Sequence, residues 1–161
     1  MTAGIGGPAA GNHRGHQRVA LVTDRVLPTT GRCVAHMATV DLTAETFEQT
    51  LADNDIVFVD FWAEWCPPCR MFAPIYEKVS EQHPDIVFGK VDTDAEQRLA
   101  EAFRIMSIPT LAIFREGIPL YAQPGVVPEA GLQQLVERVR ELDMDEVRRE
   151  LAAREAERTA S

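Results

Sequence analysis

Extended apolar stretches are missing from this chain of 161 residues, and no uncharged run approaches the roughly 18 residues that a membrane-spanning helix needs. Cysteine and glycine are scarce, at three and ten residues, which excludes a disulfide-stapled scaffold and a collagen-like fibre. Only 16 Lys and Arg residues face 25 Asp and Glu residues, giving a net charge of −9. Because a general nucleic-acid binder needs a basic surface, this balance argues against that class. The composition is that of an ordinary globular protein, and the length fits about one domain with extensions.

Residues 1–36 differ in composition from the rest of the chain. They carry a net charge of +3, which leaves −12 on residues 37–161. We interpret residues 1–36 as a flexible leader, because their opening part is rich in Gly, Ala and His. The leader has no apolar core typical of a secretory signal. Two alternatives stay open: an organellar transit peptide, which the absence of serine disfavours, and a leader that precedes a natural start at Met37.

Two residue pairs in the leader raise the possibility of a zinc site. Each pair has the short spacing of tetrahedral zinc ligands: His13 with His16, and Cys33 with His36. The segment between the pairs has no clear fold, and mixed pairs of this kind are weak evidence. We therefore favour the interpretation of Cys33 as a lone thiol.

In residues 37–161, the body of the chain, predicted strands and helices alternate. Strands are predicted over residues 39–42, 55–61, 86–91, 110–115 and 118–122. Helices are predicted after Thr43, from Pro67, over about 94–103, and from Pro128 to about 142. This order predicts an α/β fold, with a central mixed β-sheet flanked by helices on both faces.

The helical spacing of apolar residues also predicts which side chains face the core. In the helix after Pro67 these are Met71, Phe72, Ile75 and Val79, and in the third helix they are Leu99, Ala102 and Phe103. The fourth helix contributes Leu132, Leu135, Val136, Val139 and Leu142.

Residues 143–161 are predicted to form a charged C-terminal helical extension. Asp143 and Glu146 fit a capping box, and charge pairs four residues apart follow it: Asp145 with Arg149, and Glu150 with Arg154. The preferred interpretation is a solvated helix that docks through a narrow stripe of Val147 and Leu151. The alternative is a helix that binds a partner.

The chemistry is concentrated at Cys66 and Cys69, where a buried strand turns into a helix. Residues three apart share one face of a helix, close enough for a disulfide. Cys66 at the helix N-terminus is favoured as a thiolate, the attacking species in disulfide exchange. Cys69 lies one turn deeper and is expected to act second. A metal site is disfavoured, because the body holds no second cysteine pair and only one histidine, His83.

Several separated motifs carry a resemblance to a known family. The segment VDFWAEWCPPCRMFAP, residues 59–74, is similar to the active-site stretch of thioredoxins, and the match extends over roughly residues 37–142. The segments 88–92 and 107–110 resemble the family's central strand and its loop with a cis-proline. Gly117 and Gly125 resemble its hairpin glycine and the glycine that borders its substrate groove. The resemblance implies the thioredoxin fold for residues 37–142.

The resemblance implies roles for four residues near the dithiol. Cys66 is implied as the nucleophile and Cys69 as the resolving thiol. Asp60 matches the family's buried aspartate, which exchanges protons with the second cysteine, and Lys90 matches the lysine that tunes this aspartate. Burial among apolar residues agrees with this role, because desolvation raises the pKa of a carboxyl group toward neutrality.

The resemblance also implies a substrate surface around Cys66. Pro109 is expected to be cis and to hold the neighbouring backbone ready to pair with an extended client segment. The rim of this surface is predicted to contain Trp65, Pro68, Ile108, Gly125 and Val126.

One departure from the family pattern is Pro67, which stands where thioredoxins usually have glycine. A proline removes an amide donor near the sulfur of Cys66, so we expect a less stabilised thiolate and a more reducing couple. Pro68 stands where oxidases and isomerases have histidine, which favours a reductase.

The leading hypothesis is a cytoplasmic, monomeric protein-disulfide reductase with no bound cofactor. The resemblance implies that thioredoxin reductase restores the dithiol with electrons from NADPH, and that disulfide-containing proteins are the clients. No nucleic acid or membrane partner is expected. Two alternatives remain: a client-specific thiol–disulfide oxidoreductase, and a redox-independent holdase or binding module.

Overall fold

The computed structural model describes residues 38–160. The leader 1–36, the start at Met37 and the candidate zinc ligands lie outside the described residues. Within the described part the strands are β1 (Thr39–Asp41), β2 (Ile56–Trp62), β3 (Val87–Asp92), β4 (Thr110–Arg115) and β5 (Ile118–Pro124). The helices are α1 (Ala44–Asp53), α2 (Pro67–Gln82), α3 (Gln97–Ala102), α4 (Glu129–Glu141) and α5 (Met144–Ala160). None of these helices is long and apolar enough to cross a membrane.

The five strands form one mixed sheet in the order β1-β3-β2-β4-β5. β2 pairs in parallel with β3, and β3 pairs in parallel with β1, whereas β4 runs antiparallel to both β2 and β5. β2 is therefore a central strand, and its residues from Ile56 to Phe61 are all buried. This confirms the predicted mixed sheet and explains why β2 is apolar at every position except Asp60.

Helices cover both faces of the sheet, as the alternation of elements predicted. α2 and α4 contribute to one core, whose buried side chains are Ile56, Phe58, Phe72, Tyr76, Val79, Ile86, Phe88, Leu111, Ile113, Leu132, Val136 and Val139. α1 and α3 contribute to the second core, formed by Leu42, Phe47, Val57, Val59, Phe61, Val91, Leu99, Ala112 and Phe114. Burial of these two apolar faces is the main stabilising contribution to the fold.

Three predicted core positions are wrong. Met71 is 67% exposed, because the buried face of α2 follows Cys69, Phe72 and Tyr76 and leaves Met71 on the outer side. α3 is shorter than predicted, and Ala102 at its end is exposed. Leu142 follows the last residue of α4 and is also exposed.

The docking of α5 is narrower than predicted. Asp143 starts the helix by accepting hydrogen bonds from the amides of Asp145 and Glu146. Met144 is buried and Val147 is half-buried, but every described residue from 148 onward is exposed. The predicted contact of Leu151 is therefore wrong, because the apolar part of the docked surface ends at Val147.

Charged side chains hold the junction between α4 and α5 against the hairpin of β4 and β5. The Nη1 atom of Arg115 donates to the carbonyl oxygens of Val139 at 2.7 Å and Leu142 at 2.9 Å. Arg148 forms ion pairs with Glu116 and with Asp145, so Asp145 pairs with Arg148 rather than with the predicted Arg149.

Candidate active site

Cys66 is the N-cap of α2, directly after the buried strand β2 and its short connection. It forms a disulfide with Cys69, and the two Cα atoms are 5.3 Å apart. The backbone amide of Cys69 donates to the Sγ atom of Cys66 at 3.2 Å. Pro67 and Pro68 stand between them and carry no amide hydrogen. The amide of Cys69 is therefore the first backbone donor of α2 that can reach the Cys66 sulfur.

The two sulfurs differ in their surroundings rather than in their burial. Both cysteines are only 2% exposed. Cys66 nevertheless lines an open groove of about 460 Å³, and its Sγ lies 3.7 Å from the carbonyl oxygen of Ile108. Cys69 lies on the face of α2 that packs toward the sheet. An approaching disulfide therefore reaches Cys66 before Cys69.

The peptide bond between Ile108 and Pro109 is cis, as the resemblance implied. The carbonyl oxygen of Pro109 accepts a hydrogen bond from the amide of Gly125 at 2.8 Å. Gly125 has a φ of 107°, in the region that favours glycine. This bond ties the segment beside Cys66 to the end of β5.

The structure brings part of the predicted rim together. Trp65, Pro68 and Ile108 line the groove beside Cys66, whereas Gly125 and Val126 lie outside it, on the side of Pro109 that faces β5. Trp65 is 66% exposed, and its indole Nε1 donates to a carboxylate oxygen of Asp94 at 2.9 Å. This hydrogen bond fixes one edge of the ring at the mouth of the groove.

The opposite wall of the groove was missed from the sequence. It is formed by Thr93, Ala100, Ile105, Met106 and Ser107, from the end of β3, from α3 and from the loop that follows. Met106 is 93% exposed, an unusual exposure for a large apolar side chain. The one available signal was the position of two apolar residues, Ile105 and Met106, immediately before the Ser107–Pro109 segment.

Asp60 lies in β2 on the same face of the sheet as α2. It is 1% exposed, and neither carboxyl oxygen has a hydrogen-bond partner among the described residues. Burial raises the pKa of Asp60 to about 7, and the nearby positive charge of Lys90 partly opposes this rise. The carboxyl group therefore titrates in the range where a proton acceptor for a thiol is useful.

Lys90 faces Asp60 directly across the β2–β3 pairing and is held over an aromatic ring. Its Nζ atom lies 4.5 Å from the ring centroid of Trp62, a cation–π contact. Tyr76 approaches from α2 and donates its hydroxyl to the carbonyl oxygen of Gly89 at 3.0 Å. Burial and the nearby Asp60 raise the pKa of Tyr76 well above its ordinary value. Tyr76 therefore stays neutral, and Lys90 is the cation beside Asp60.

Residues 38–160 contain no cluster of three or more His, Cys, Asp or Glu side chains that is arranged to hold a metal ion. The one histidine of the body, His83, contacts Gln133 through Nε2 at 2.8 Å.

Comparison with known proteins identifies the family. The family model for thioredoxin matches residues 38–138, which is more than half of the chain. The chain belongs to the thioredoxin family. A Streptomyces coelicolor relative named for the same family is 56% identical over 120 residues, covering 74% of this chain and 90% of that one. Thioredoxin 1 from Nostoc is 42% identical over 103 residues, covering 63% of this chain and 96% of that one.

Solved structures agree with the thioredoxin assignment. A thioredoxin variant from Halobacterium salinarum superposes with a TM-score of 0.62 at 34% identity, covering 66% of this chain and 96% of that one. The oxidised thioredoxin of Plasmodium falciparum gives a TM-score of 0.57 at 33% identity, covering 63% and 97%. With a disulfide between Cys66 and Cys69 at the start of α2, this thioredoxin is a thiol–disulfide reductase.

Proposed function

We propose that this thioredoxin reduces disulfides of client proteins through Cys66 and Cys69, and that thioredoxin reductase returns the pair to the dithiol state. The observation that carries the proposal is the disulfide at the N-terminus of α2, with Cys66 at an open groove and Cys69 behind it. This arrangement suits a reaction in which one sulfur meets the client and the second releases it.

The reaction consists of two thiol–disulfide exchanges. The Cys66 thiolate attacks one sulfur of the client disulfide, forming a mixed disulfide and releasing the first client thiolate, which takes up a proton. The Cys69 thiolate then attacks the Sγ of Cys66, closing the Cys66–Cys69 disulfide and releasing the second client thiol. Two electrons pass from the dithiol to the client, and the client leaves as a dithiol.

Asp60 is proposed as the proton acceptor for Cys69. A thiol must lose its proton before it attacks, and a carboxylate whose pKa is about 7 accepts protons near neutral pH. Lys90 is proposed to tune Asp60, because its charge favours the ionised carboxylate. Lys90 thereby keeps part of the Asp60 population available as a base.

Clients are proposed to bind as extended segments across the rim of Cys66. Trp65, Pro68 and Ile108 supply apolar contact, and the backbone near Pro109, Gly125 and Val126 is proposed to pair with the client backbone. Because the groove is open, this binding is weak without the transient covalent bond.

Thioredoxin reductase is proposed as the partner that supplies electrons from NADPH. A relative from Mycobacterium leprae is named bifunctional thioredoxin reductase/thioredoxin, and its matched region is 40% identical to this chain over 96 residues. That region covers 58% of this chain and 21% of the relative, so the two activities named there belong to one polypeptide. We further propose a monomer without bound cofactor that acts in the cytoplasm.

Coupled turnover tests this proposal. The full chain is incubated with NADPH, thioredoxin reductase and insulin, and the oxidation of NADPH is followed. We expect sustained turnover that Cys66→Ser abolishes and that Cys33→Ser, the matched control at the third cysteine, leaves unchanged. Absence of turnover in the unmodified protein, or full turnover after Cys66→Ser, would refute the proposal.

A redox-independent binding function is the second candidate. The observation that favours it is the exposure of two large apolar side chains that line the groove beside Cys66, Trp65 and Met106. The double variant Cys66→Ser/Cys69→Ser separates the two functions. If it suppresses aggregation of an unfolding client as well as the unmodified chain does, the binding function is supported; a loss of suppression would contradict it.

A further inference from the structure

Trp62 is the last residue of β2 and lies on the same face of the sheet as Asp60, because side chains two residues apart on a strand point the same way. Lys90 is the register partner of Asp60 on β3, so its side chain starts from this face as well. The Nζ atom of Lys90 lies 4.5 Å from the ring centroid of Trp62. One ammonium group therefore has two candidate partners on this face, an aromatic ring and a carboxyl group.

Of these two partners, the ring is the one that Lys90 contacts. Neither oxygen of the Asp60 carboxyl has a hydrogen-bond partner among the described residues, so Lys90 does not donate to it. The ion pairs within residues 38–160 do not include Lys90. An ammonium group and a carboxylate attract each other strongly where water is excluded. The face of a tryptophan ring competes for the ammonium group, because the ring's electron density attracts a cation.

The indole of Trp62 is retained at a cost to the fold. Its Nε1 atom is buried and has no hydrogen-bond partner among the described residues, whereas the Nε1 atom of Trp65 donates to Asp94. A buried donor without a partner is destabilising, and a phenylalanine would fill much of the same space without one. Packing alone therefore does not explain an indole here. A hold on the Lys90 cation does, because tryptophan binds cations more strongly than phenylalanine.

We propose that Trp62 is a positioning residue, whose ring holds the ammonium group of Lys90 out of a close ion pair with Asp60 and so leaves that carboxyl group free to exchange protons. Without the ring, Lys90 would close onto Asp60 and fix it as a carboxylate, which is a weaker base toward Cys69. This inference rests on the proposed function, in which Asp60 accepts the proton of Cys69.

The groups that face Asp60 from the elements packed against it leave Lys90 as the cation beside it. On α2, burial and the nearby Asp60 raise the pKa of Tyr76, so its hydroxyl stays neutral. Cys69, also on α2, is held in the disulfide and does not titrate in the oxidised protein. On β4 the register partner of Asp60 is the apolar Leu111.

Two further carboxylates lie near Lys90 along the sheet. Asp41 on β1 is its register partner, and it is exposed, so water and salt screen its charge. Asp92 follows two residues later on β3, and its Oδ1 atom accepts a hydrogen bond from the amide of Asp94 at 2.9 Å. Neither carboxylate forms an ion pair with Lys90, which leaves the Trp62 ring as the contact that holds the ammonium group.

Carbon NMR of the Asp60 carboxyl group tests the assignment on the oxidised full chain, without any turnover. Aspartate side chains are labelled with ¹³C, and the resonance that is lost in Asp60→Asn identifies Asp60. The titration midpoint of the unmodified chain is expected at about 7. In Trp62→Leu it should fall by about one pH unit, because Lys90 moves onto the carboxylate. Trp62→Phe should give a smaller fall, because its ring binds the cation less strongly.

The same substitutions in a chain without the Lys90 cation separate the role of the ring from the entry of water. Trp62→Leu also opens space for water, which lowers the midpoint whether or not Lys90 is present. Lys90→Met alone should raise the midpoint, and adding Trp62→Leu to Lys90→Met should then change it little. Trp65→Phe, at the other tryptophan of the chain, is the matched control and should leave the midpoint of Asp60 unchanged.

An unchanged or higher midpoint in Trp62→Leu would overturn the assignment of Trp62. A fall of equal size with and without Lys90 would also overturn it, because water entry would then be the cause. If Trp62→Leu does not fold, Trp62→Phe is compared with and without Lys90→Met and is decided by the same criteria. A chain that shows the expected midpoints and yet does not reduce insulin would refute the proposed function and leave the hold of Trp62 on Lys90 standing.

Discussion

Folding moves the Asp60 carboxyl group from water into an apolar environment, where Lys90 is the nearby cation. Its pKa is 3.8 in the unfolded chain and about 7 in the folded protein. Between these values the folded state binds the proton more tightly, so the stability that Asp60 contributes is complete below pH 4 and is lost as the pH rises through 7. The difference amounts to about 4 kcal/mol.

Asp60→Asn is therefore expected to stabilise the oxidised protein at alkaline pH. The free energy of unfolding is measured in urea for Asp60→Asn and for the unmodified chain. The difference between the two, in favour of Asp60→Asn, should grow by about 4 kcal/mol from pH 3.5 to pH 8, because asparagine stays neutral. Asp41→Asn, which removes an exposed carboxylate on the edge strand β1, is the matched control and should show no such rise. A constant difference between Asp60→Asn and the unmodified protein at both pH values would contradict the assignment of a raised pKa.

Pro67 is expected to make the Cys66–Cys69 couple more reducing. With proline at residues 67 and 68, the amide of Cys69 is the donor of the first turn that reaches the Cys66 sulfur. Pro67→Gly adds an amide donor and should stabilise the thiolate, which favours the reduced form and raises the reduction potential. Equilibration with glutathione buffers measures this potential, with Pro84→Gly as a control far from the sulfur. A lower potential in Pro67→Gly would contradict the expectation.

The chemical residues were predictable because their signals are local or shared with a known family. Cys66 and Cys69 lie three apart at a strand-to-helix turn, and Asp60 interrupts an apolar strand. The wall formed by Ala100, Ile105 and Met106 carries no such motif. It exists because α3 and its following loop fold back beside Cys66, a long-range contact that residue spacing does not encode.

α2 shows what helical periodicity can and cannot predict. The sequence predicts a helix from Pro67 and the burial of Phe72 and Val79, and the structure confirms these. Met71 has the same apolar character but lies on the opposite edge of the stripe. The burial of a borderline position depends on where the sheet lies relative to the helix, which the period alone does not define.

α5 is expected to contribute stability only through its first residues, 144–148. Removing residues 149–161 should change the free energy of unfolding by no more than about 0.5 kcal/mol and should not change turnover, because these side chains are exposed where described. Met144→Ala should lower the free energy of unfolding by about 2 kcal/mol, because Met144 is buried. Urea unfolding measures both changes. A large loss of stability or activity on truncation would show that the exposed part of α5 has a partner.

At the scale of the whole domain, the fold places the Cys66–Cys69 disulfide at one end of a sheet that carries a hydrophobic core on each face. β2 is buried on both faces and leads directly into the turn that holds Cys66, while β4 begins at the cis-proline segment beside it. The order of strands and helices predicted this mixed sheet. It did not predict the groove wall formed by Ile105 and Met106, because that wall depends on how the loop after α3 folds back beside Cys66.

Trapping of the mixed disulfide tests the central claim most directly. Cys69→Ser leaves Cys66 able to attack a client disulfide and removes the sulfur that resolves the intermediate. Incubation of this variant with a disulfide-containing protein, followed by mass spectrometry, is predicted to give a covalent complex joined through Cys66. The same treatment of Cys66→Ser is predicted to give little or none. A complex joined through Cys69 in preference to Cys66, or no complex with Cys69→Ser, would contradict the account.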